Sequence, residues 1–185
     1  MFRTTTMMTA TAAALLAAPA FAESHGDGSS EMSGDMASPA AMATLMDQSG
    51  TEVGQVEIYE TVEGLLFHVE ATGMPEGAHG FHVHQTGECS DDFTSAGDHY
   101  QPGGNGHGLM SEEGAHAGDL PNVFADDSGN VRADLTSARL SMEDGDAPIM
   151  DDDGSAIIVH ENGDTYSSDA GAGGRIACGV IEAAS

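Results

Sequence analysis

His82 and His84 are separated by one residue in the segment Gly80-Phe81-His82-Val83-His84. Along an extended strand alternate side chains project from the same face, so these two imidazoles point the same way. Five further donors follow. His99, His107, His116 and Asp119 lie in a glycine-rich stretch, and His160 ends the apolar run Ala156-Ile157-Ile158-Val159. Six histidines and one aspartate supply ligands for two metal ions, one set rich in imidazole and the other combining imidazole with a carboxylate. Neutral imidazole suits copper and zinc, and a carboxylate oxygen completes a tetrahedral zinc set. Two other histidines read more plainly. His68, between Phe67 and Val69, faces away from the apolar side of its strand and is expected to be exposed. His79, just before Gly80, is expected to be a structural hydrogen-bonding residue.

The elements that must position these donors are short strands. Leu65, Phe67 and Val69 alternate cleanly after the turn at Glu63-Gly64. Val53, Val56 and Ile58 indicate a strand whose alternation breaks once. Leu45 to Asp47 runs into a turn at Gln48-Ser49-Gly50, and the segment from Asp126 to Asn130 reads as a hairpin turn between Val123 and Val131. Phe81 and Val83 alternate with His82 and His84, which gives one face to the core and the other to metal. Leu135, Leu140 and Ile149 belong to later strands or their connections. No long segment has helical periodicity, and 25 glycines favour a turn-rich β protein. With no tryptophan, the core must come mostly from Val, Ile, Leu, Met and a few Phe. The pattern predicts an antiparallel β-sandwich or flattened barrel.

The first 22 residues are read separately, as a secretory signal peptide: Arg3, an apolar stretch from Met7 to Pro19, and an A-x-A cleavage site at Ala20-Phe21-Ala22. Cleavage after Ala22 predicts an exported, periplasmic protein. Residues 23–41 are low in complexity and read as a disordered tail, and residues 42–185 as the folded domain. Met32, Met36, Met42 and Met46 lie in or near the tail, and thioethers bind cuprous copper. Cleavage after Ala22 would also make His25 the third residue of the mature chain. A free amine, two amides and that imidazole form a square-planar set for cupric or nickel ions.

The charge is extreme. There is no lysine, and after cleavage Arg132, Arg139 and Arg175 face 31 acids, a net charge of about −28 from three minus 31. Such a surface excludes nucleic acid and anionic membranes as partners. The two cysteines, Cys89 and Cys178, read in an oxidising compartment as one disulfide in preference to two buried thiols. That bond would close a loop of about 90 residues, worth about 4 to 5 kcal/mol in the chain-entropy treatment.

The residues His82-Val83-His84, His99, His107, His116-Ala117-Gly118-Asp119, His160 and Gly174-Arg175-Ile176-Ala177-Cys178-Gly179 resemble the motifs of copper-zinc superoxide dismutases of the secreted bacterial type. The likeness runs from about Ala43 to about Glu182. It implies an eight-stranded Greek-key barrel with two long functional loops, 85–122 and 161–174, and the same disulfide. It also implies one copper and one zinc ion per subunit. Copper would be held by His82, His84, His99 and His160, and zinc by His99, His107, His116 and Asp119, with His99 bridging the two as an imidazolate. The implied activity is dismutation of superoxide to dioxygen and hydrogen peroxide. His99 would open on the copper side, take a proton and deliver it, while Arg175 would hold the anionic substrate. Asp164, four residues after His160, fits the family's aspartate that links a copper-ligand histidine to a zinc-ligand histidine. The family includes monomers and homodimers, and a copper donor is a further expected partner.

The chain departs from its relatives in lacking the lysines that guide superoxide inward, and Asp169 lies in the second loop. The rate is therefore expected to rise or stay flat with added salt. The competing reading is a non-enzymatic periplasmic copper-binding or buffering protein on the same fold. The methionines and His25 favour it, whereas Arg175 and a bridging His99 serve no purpose in storage. A zinc hydrolase needs an open zinc position, and three histidines with Asp119 leave none.

Overall fold

The computed structural model describes Met1 and residues 38–184. The signal peptide expected after Met1, the expected tail as far as residue 37 with Met32 and Met36, and the site expected at His25 lie outside the described residues.

Ten strands follow one another: β1 (Ala41–Asp47), β2 (Glu52–Thr61), β3 (Gly64–Ala71), β4 (Gly77–His79), β5 (Phe81–His84), β6 (Val123–Ala125), β7 (Val131–Ser137), β8 (Ala156–His160), β9 (Arg175–Val180) and β10 (Glu182–Ala183). Among the described residues the one helical element is a short 3-10 turn, Thr94–Ala96. The alternation in β3 buries Leu65, Phe67, Val69 and Ala71 on one side. The broken alternation in β2 is a bulge: Leu45 pairs with Gly54 and Met46 with Glu52, which leaves Val53 as the extra residue. β1 begins at Ala41, one residue ahead of the expected domain start, because Ala41 is buried and pairs with both Ile58 and Ala183.

The strands form one antiparallel sheet in the order β4-β6-β7-β3-β2-β1-β9-β8-β5, with β10 paired to β1. β4 and β5 stand at opposite ends of this order yet are joined by Gly80 alone. The sheet therefore returns on itself as a nearly closed barrel. The connections from β3 to β4 and from β7 to β8 skip intervening strands, as a Greek key requires.

The expected count of eight strands is corrected to ten. At Gly80 the chain changes partners, so one extended segment becomes β4, paired with β6, and β5, paired with β8. Glycine is the residue suited to such a corner. β10 is a two-residue extension that pairs with the start of β1.

The core is built from Leu45, Ile58, Leu65, Phe67, Phe81, Leu120, Ile149 and Ile157, all essentially inaccessible to solvent. β8 is apolar from Ala156 to Val159 because it is buried on both faces. Ile157 and Val159 join the main core, and Ala156 and Ile158 join a second cluster with Phe93, Ala96 and Cys178. Cys89 and Cys178 form a disulfide with a Cα separation of 5.8 Å. Two long connections, 85–122 and 161–174, leave the barrel at the ends of β5 and β8.

Candidate metal centre

β5 and β8 pair from Phe81–Val159 to His84–Ala156. His82 and His84 are completely buried on this pair. His160 ends β8 where the pairing to β9 shifts, from Val159–Ala177 to His160–Arg175. Such irregularities re-aim side chains at strand ends. His79 is buried, with Nδ1 2.8 Å from the His160 carbonyl and Nε2 2.7 Å from that of Pro75, which fits a structural role. His68 is partly exposed and contacts Asp134 at 2.6 Å, away from the site.

The connection 85–122 folds back along β5 and brings its donors with it. His84 bridges to His99 and His82 to Asp119 in antiparallel fashion. Between them the Tyr100 N–H donates to Val83 O at 2.8 Å, and the Val83 N–H to Gly118 O at 3.0 Å. A Cβ at Gly118 would lie 2.2 Å from Val83 O, so glycine is required for this approach.

The structure thus gathers two sets of donors, each with its ligand atoms within 4.8 Å of one another: His82, His84, His99 and His160, and His99, His107, His116 and Asp119. His99 belongs to both. In the second set the Nδ1 atoms of His99, His107 and His116 lie 2.8, 3.1 and 3.4 Å from Asp119 Oδ1. Ligands on a tetrahedral zinc are about 3.3 Å apart, so each of the three nitrogens already stands near the required distance from the carboxylate oxygen. In the first set His82 Nδ1, His84 Nε2 and His160 Nε2 are buried without a hydrogen-bond partner. Orphaned imidazole nitrogens facing one another are what a metal satisfies. The opposite ring nitrogens are fixed. His84 Nδ1 donates to Gly97 O at 2.9 Å, and His82 Nε2 donates to Asp164 Oδ2 at 2.8 Å.

Electrostatics keep the donors ready to bind. Burial lowers the pKa of the His84 imidazole to about 2 and of His160 to about 3, with neighbouring imidazoles adding to the effect. Burial also lowers that of His82 and His116. Burial opposes ionisation of Asp119, but hydrogen bonds from His99 and the Gly108 N–H outweigh it and hold the carboxyl well below its usual range. Asp164 is likewise held ionised against burial by His82 and the Tyr166 N–H.

Asp164 Oδ2 also lies 3.0 Å from His107 Nε2, close but not aligned as a hydrogen bond, so this carboxylate stands between one histidine of each set. Its own main chain is clamped by Asn122, whose Nδ2 donates to Asp164 O at 2.9 Å and whose Oδ1 accepts the Asp164 N–H at 2.8 Å. Arg175 binds Phe93 O and Gly97 O through its two terminal nitrogens. It lines an open cleft of about 520 Å³ with His84, His99, His160, Asp98 and Asp169. Sequence reasoning missed Asn122 and Arg139. Asn122 carries no motif signal, whereas Arg139 could have been flagged as one of three cations in a chain without lysine.

The copper/zinc superoxide dismutase (SODC) family profile matches residues 52–181. Copper-zinc superoxide dismutase 2 of Aquifex aeolicus is 41% identical over 146 residues, covering 76% of this chain and 85% of the relative. The copper-zinc enzyme of Caulobacter vibrioides is 37% identical over 148 residues, 77% of this chain and 85% of its own length. The solved Cu/Zn superoxide dismutase of Brucella abortus superposes with a TM-score of 0.63 at 33% identity, covering 77% of this chain and 99% of that one. A SOD-like protein from Bacillus subtilis gives a TM-score of 0.70 at 36% identity, covering 75% and 96%. This chain belongs to the copper/zinc superoxide dismutase family, and its two donor sets can hold copper and zinc.

Proposed function

We propose that this protein dismutates superoxide to dioxygen and hydrogen peroxide in the periplasm, protecting the cell envelope. The observation that carries the reading is His99, one imidazole common to both donor sets. His82, His84, His99 and His160 would hold copper, and His99, His107, His116 and Asp119 would hold zinc. Bound copper supplies one-electron exchange with superoxide, and redox-inert zinc supplies charge and fixed geometry.

The chain's own residues do the rest. Arg175 presents a guanidinium to the cleft and draws the superoxide anion towards His84 and His160. Its grip on Phe93 O and Gly97 O fixes where that charge sits. His99 would take a proton on the ring nitrogen offered to the copper set and release it as superoxide is reduced, with solvent water in the open cleft supplying the second proton that hydrogen peroxide needs. Asp164 fixes the ring of His82 and sets its charge against His107.

Export with cleavage after Ala22, a tail from residue 23 that ends before β1, and a cupric or nickel site at His25 complete the proposal. A second copy of this chain and a copper-donating protein are the macromolecular partners it allows. A non-catalytic copper buffer is the competing reading, and Arg175 at the cleft favours the enzyme over it.

The test is superoxide decay by the mature protein loaded with one copper and one zinc, beside His99→Ala. Rapid copper-dependent decay that weakens in the variant is expected. No decay at full copper occupancy would overturn the enzymatic reading in favour of metal handling.

A further inference from the structure

Beyond residue 22 the chain has three arginines and no lysine against 31 acids. In so acidic a chain carboxylates are the abundant partners for an arginine, so one that binds something else is informative. Arg132 pairs with Glu70 at 2.8 Å on the exposed sheet face. The other two bind main-chain oxygens. Arg175 does so beside His99, as described. Arg139, in the connection after β7, places Nε 3.2 Å from the carbonyl of His116 and an Nη2 N–H on the carbonyl of Asp119.

These carbonyls open and close the turn His116-Ala117-Gly118-Asp119, which carries two of the four donors of the second set. Within the turn the Asp119 N–H donates to His116 O at 3.3 Å. Asp119 Oδ2 accepts N–H groups from His116 at 3.0 Å and from Gly108 at 2.9 Å. The inward side of the turn is therefore tied by its own N–H groups and by that of Gly108. Its outward side faces a cleft of about 340 Å³ lined by Gln101, Asn105, Ala117, Arg139 and Ser141. Arg139 is the charged donor that holds it there. A guanidinium offers several N–H groups in a rigid plane, which suits two carbonyls at a fixed separation, and an ammonium does not reproduce that fork.

We propose that Arg139 is a positioning residue for zinc, setting the orientation of His116 and Asp119 through their carbonyls. The inference rests on the zinc assignment proposed above. Groups that orient metal ligands change metal affinity about 10- to 100-fold when removed.

The experiment compares the full mature chain with Arg139→Gln and Arg139→Lys. Zinc affinity is measured by chelator competition, and the zinc position is read by the visible spectrum of substituted cobalt(II). Copper loading is followed by electron paramagnetic resonance, and the melting of the metal-free proteins is recorded. Both variants are expected to lose about 10- to 100-fold in zinc affinity, with an altered cobalt spectrum and little change in metal-free melting. Wild-type affinity and an unchanged cobalt spectrum in either variant would overturn the proposal. So would a lower metal-free melting temperature with unchanged affinity, which would make Arg139 a purely structural residue. Wild-type protein that takes no cobalt or zinc at all would overturn the site assignment itself, before any variant is compared.

Discussion

His82 Nε2 lies 2.8 Å from Asp164 Oδ2, and both side chains are essentially closed to solvent, at 0% and 2% exposure. The contact turns His82 so that Nδ1, its unpartnered nitrogen, faces the other histidines. Asp164 also stands 3.0 Å from His107 Nε2, so one carboxylate contacts a ring in each donor set. Asp164→Asn keeps the volume but removes the charge. It is expected to lower affinity for both metals by about 10- to 100-fold, read by chelator competition on each metal in turn. Loss confined to one metal would show that Asp164 serves only one ring.

Legibility was uneven, for physical reasons. Alternation in β3 and the parity break in β2 are written in side-chain polarity, because one face of each is buried. The seven donors were legible from residue type and resemblance, and the fold brings all of them together. The division of β4 from β5 was not, because it depends on which strand each half meets after Gly80. Asn122 and Arg139 act through main-chain groups of other segments, and main-chain carbonyls leave no mark in a sequence.

The metal-free protein should lose stability in mild acid. Burial lowers the imidazole pKa of His82, His84, His116 and His160, to about 2 for His84 and about 3 for His160. In the unfolded chain an imidazole takes up its proton near pH 6.5. Between these limits the unfolded state binds more protons, so stability is fully present above about pH 6.5 and falls as pH drops below it. Each histidine held fully neutral steepens the fall by about 1.4 kcal/mol per pH unit. Urea unfolding of the metal-free protein at about pH 7.5 and about pH 5 reads this directly. Equal stability at both would mean that these imidazoles titrate freely in the fold.

The disulfide should matter to the cleft as well as to stability. Asp91, Asp92 and Phe93, with φ of 51°, 53° and 69°, are three successive non-glycine residues in left-handed conformation, each costing about 1–2 kcal/mol. They follow Cys89 after one intervening residue, Ser90, and end at the carbonyl held by Arg175. Cys89→Ser with Cys178→Ser is expected to lower unfolding free energy by about 3 to 5 kcal/mol. It should also let this turn relax away from Arg175, so superoxide decay per bound copper falls. Unchanged decay per copper in the folded double variant would separate the disulfide from the site.

The response to salt should reveal how substrate reaches the cleft. Arg175 is the one side-chain cation lining it, opposed by Asp98 and Asp169 at the same opening. Beyond the cleft the chain carries no lysine and most of its other acids, Asp119 and Asp164 being buried. An approaching superoxide anion meets repulsion over most of its path and attraction only within a few ångströms of Arg175. Physiological salt screens charges beyond about 8 Å, so it removes the long-range repulsion first and leaves the short-range attraction. Superoxide decay is therefore expected to stay flat or rise with ionic strength. Asp169→Asn should raise the low-salt rate and flatten its salt dependence. A steep decline with salt in the unaltered protein would show instead that Arg175 and the bound metals focus the field enough to outweigh the whole acidic surface.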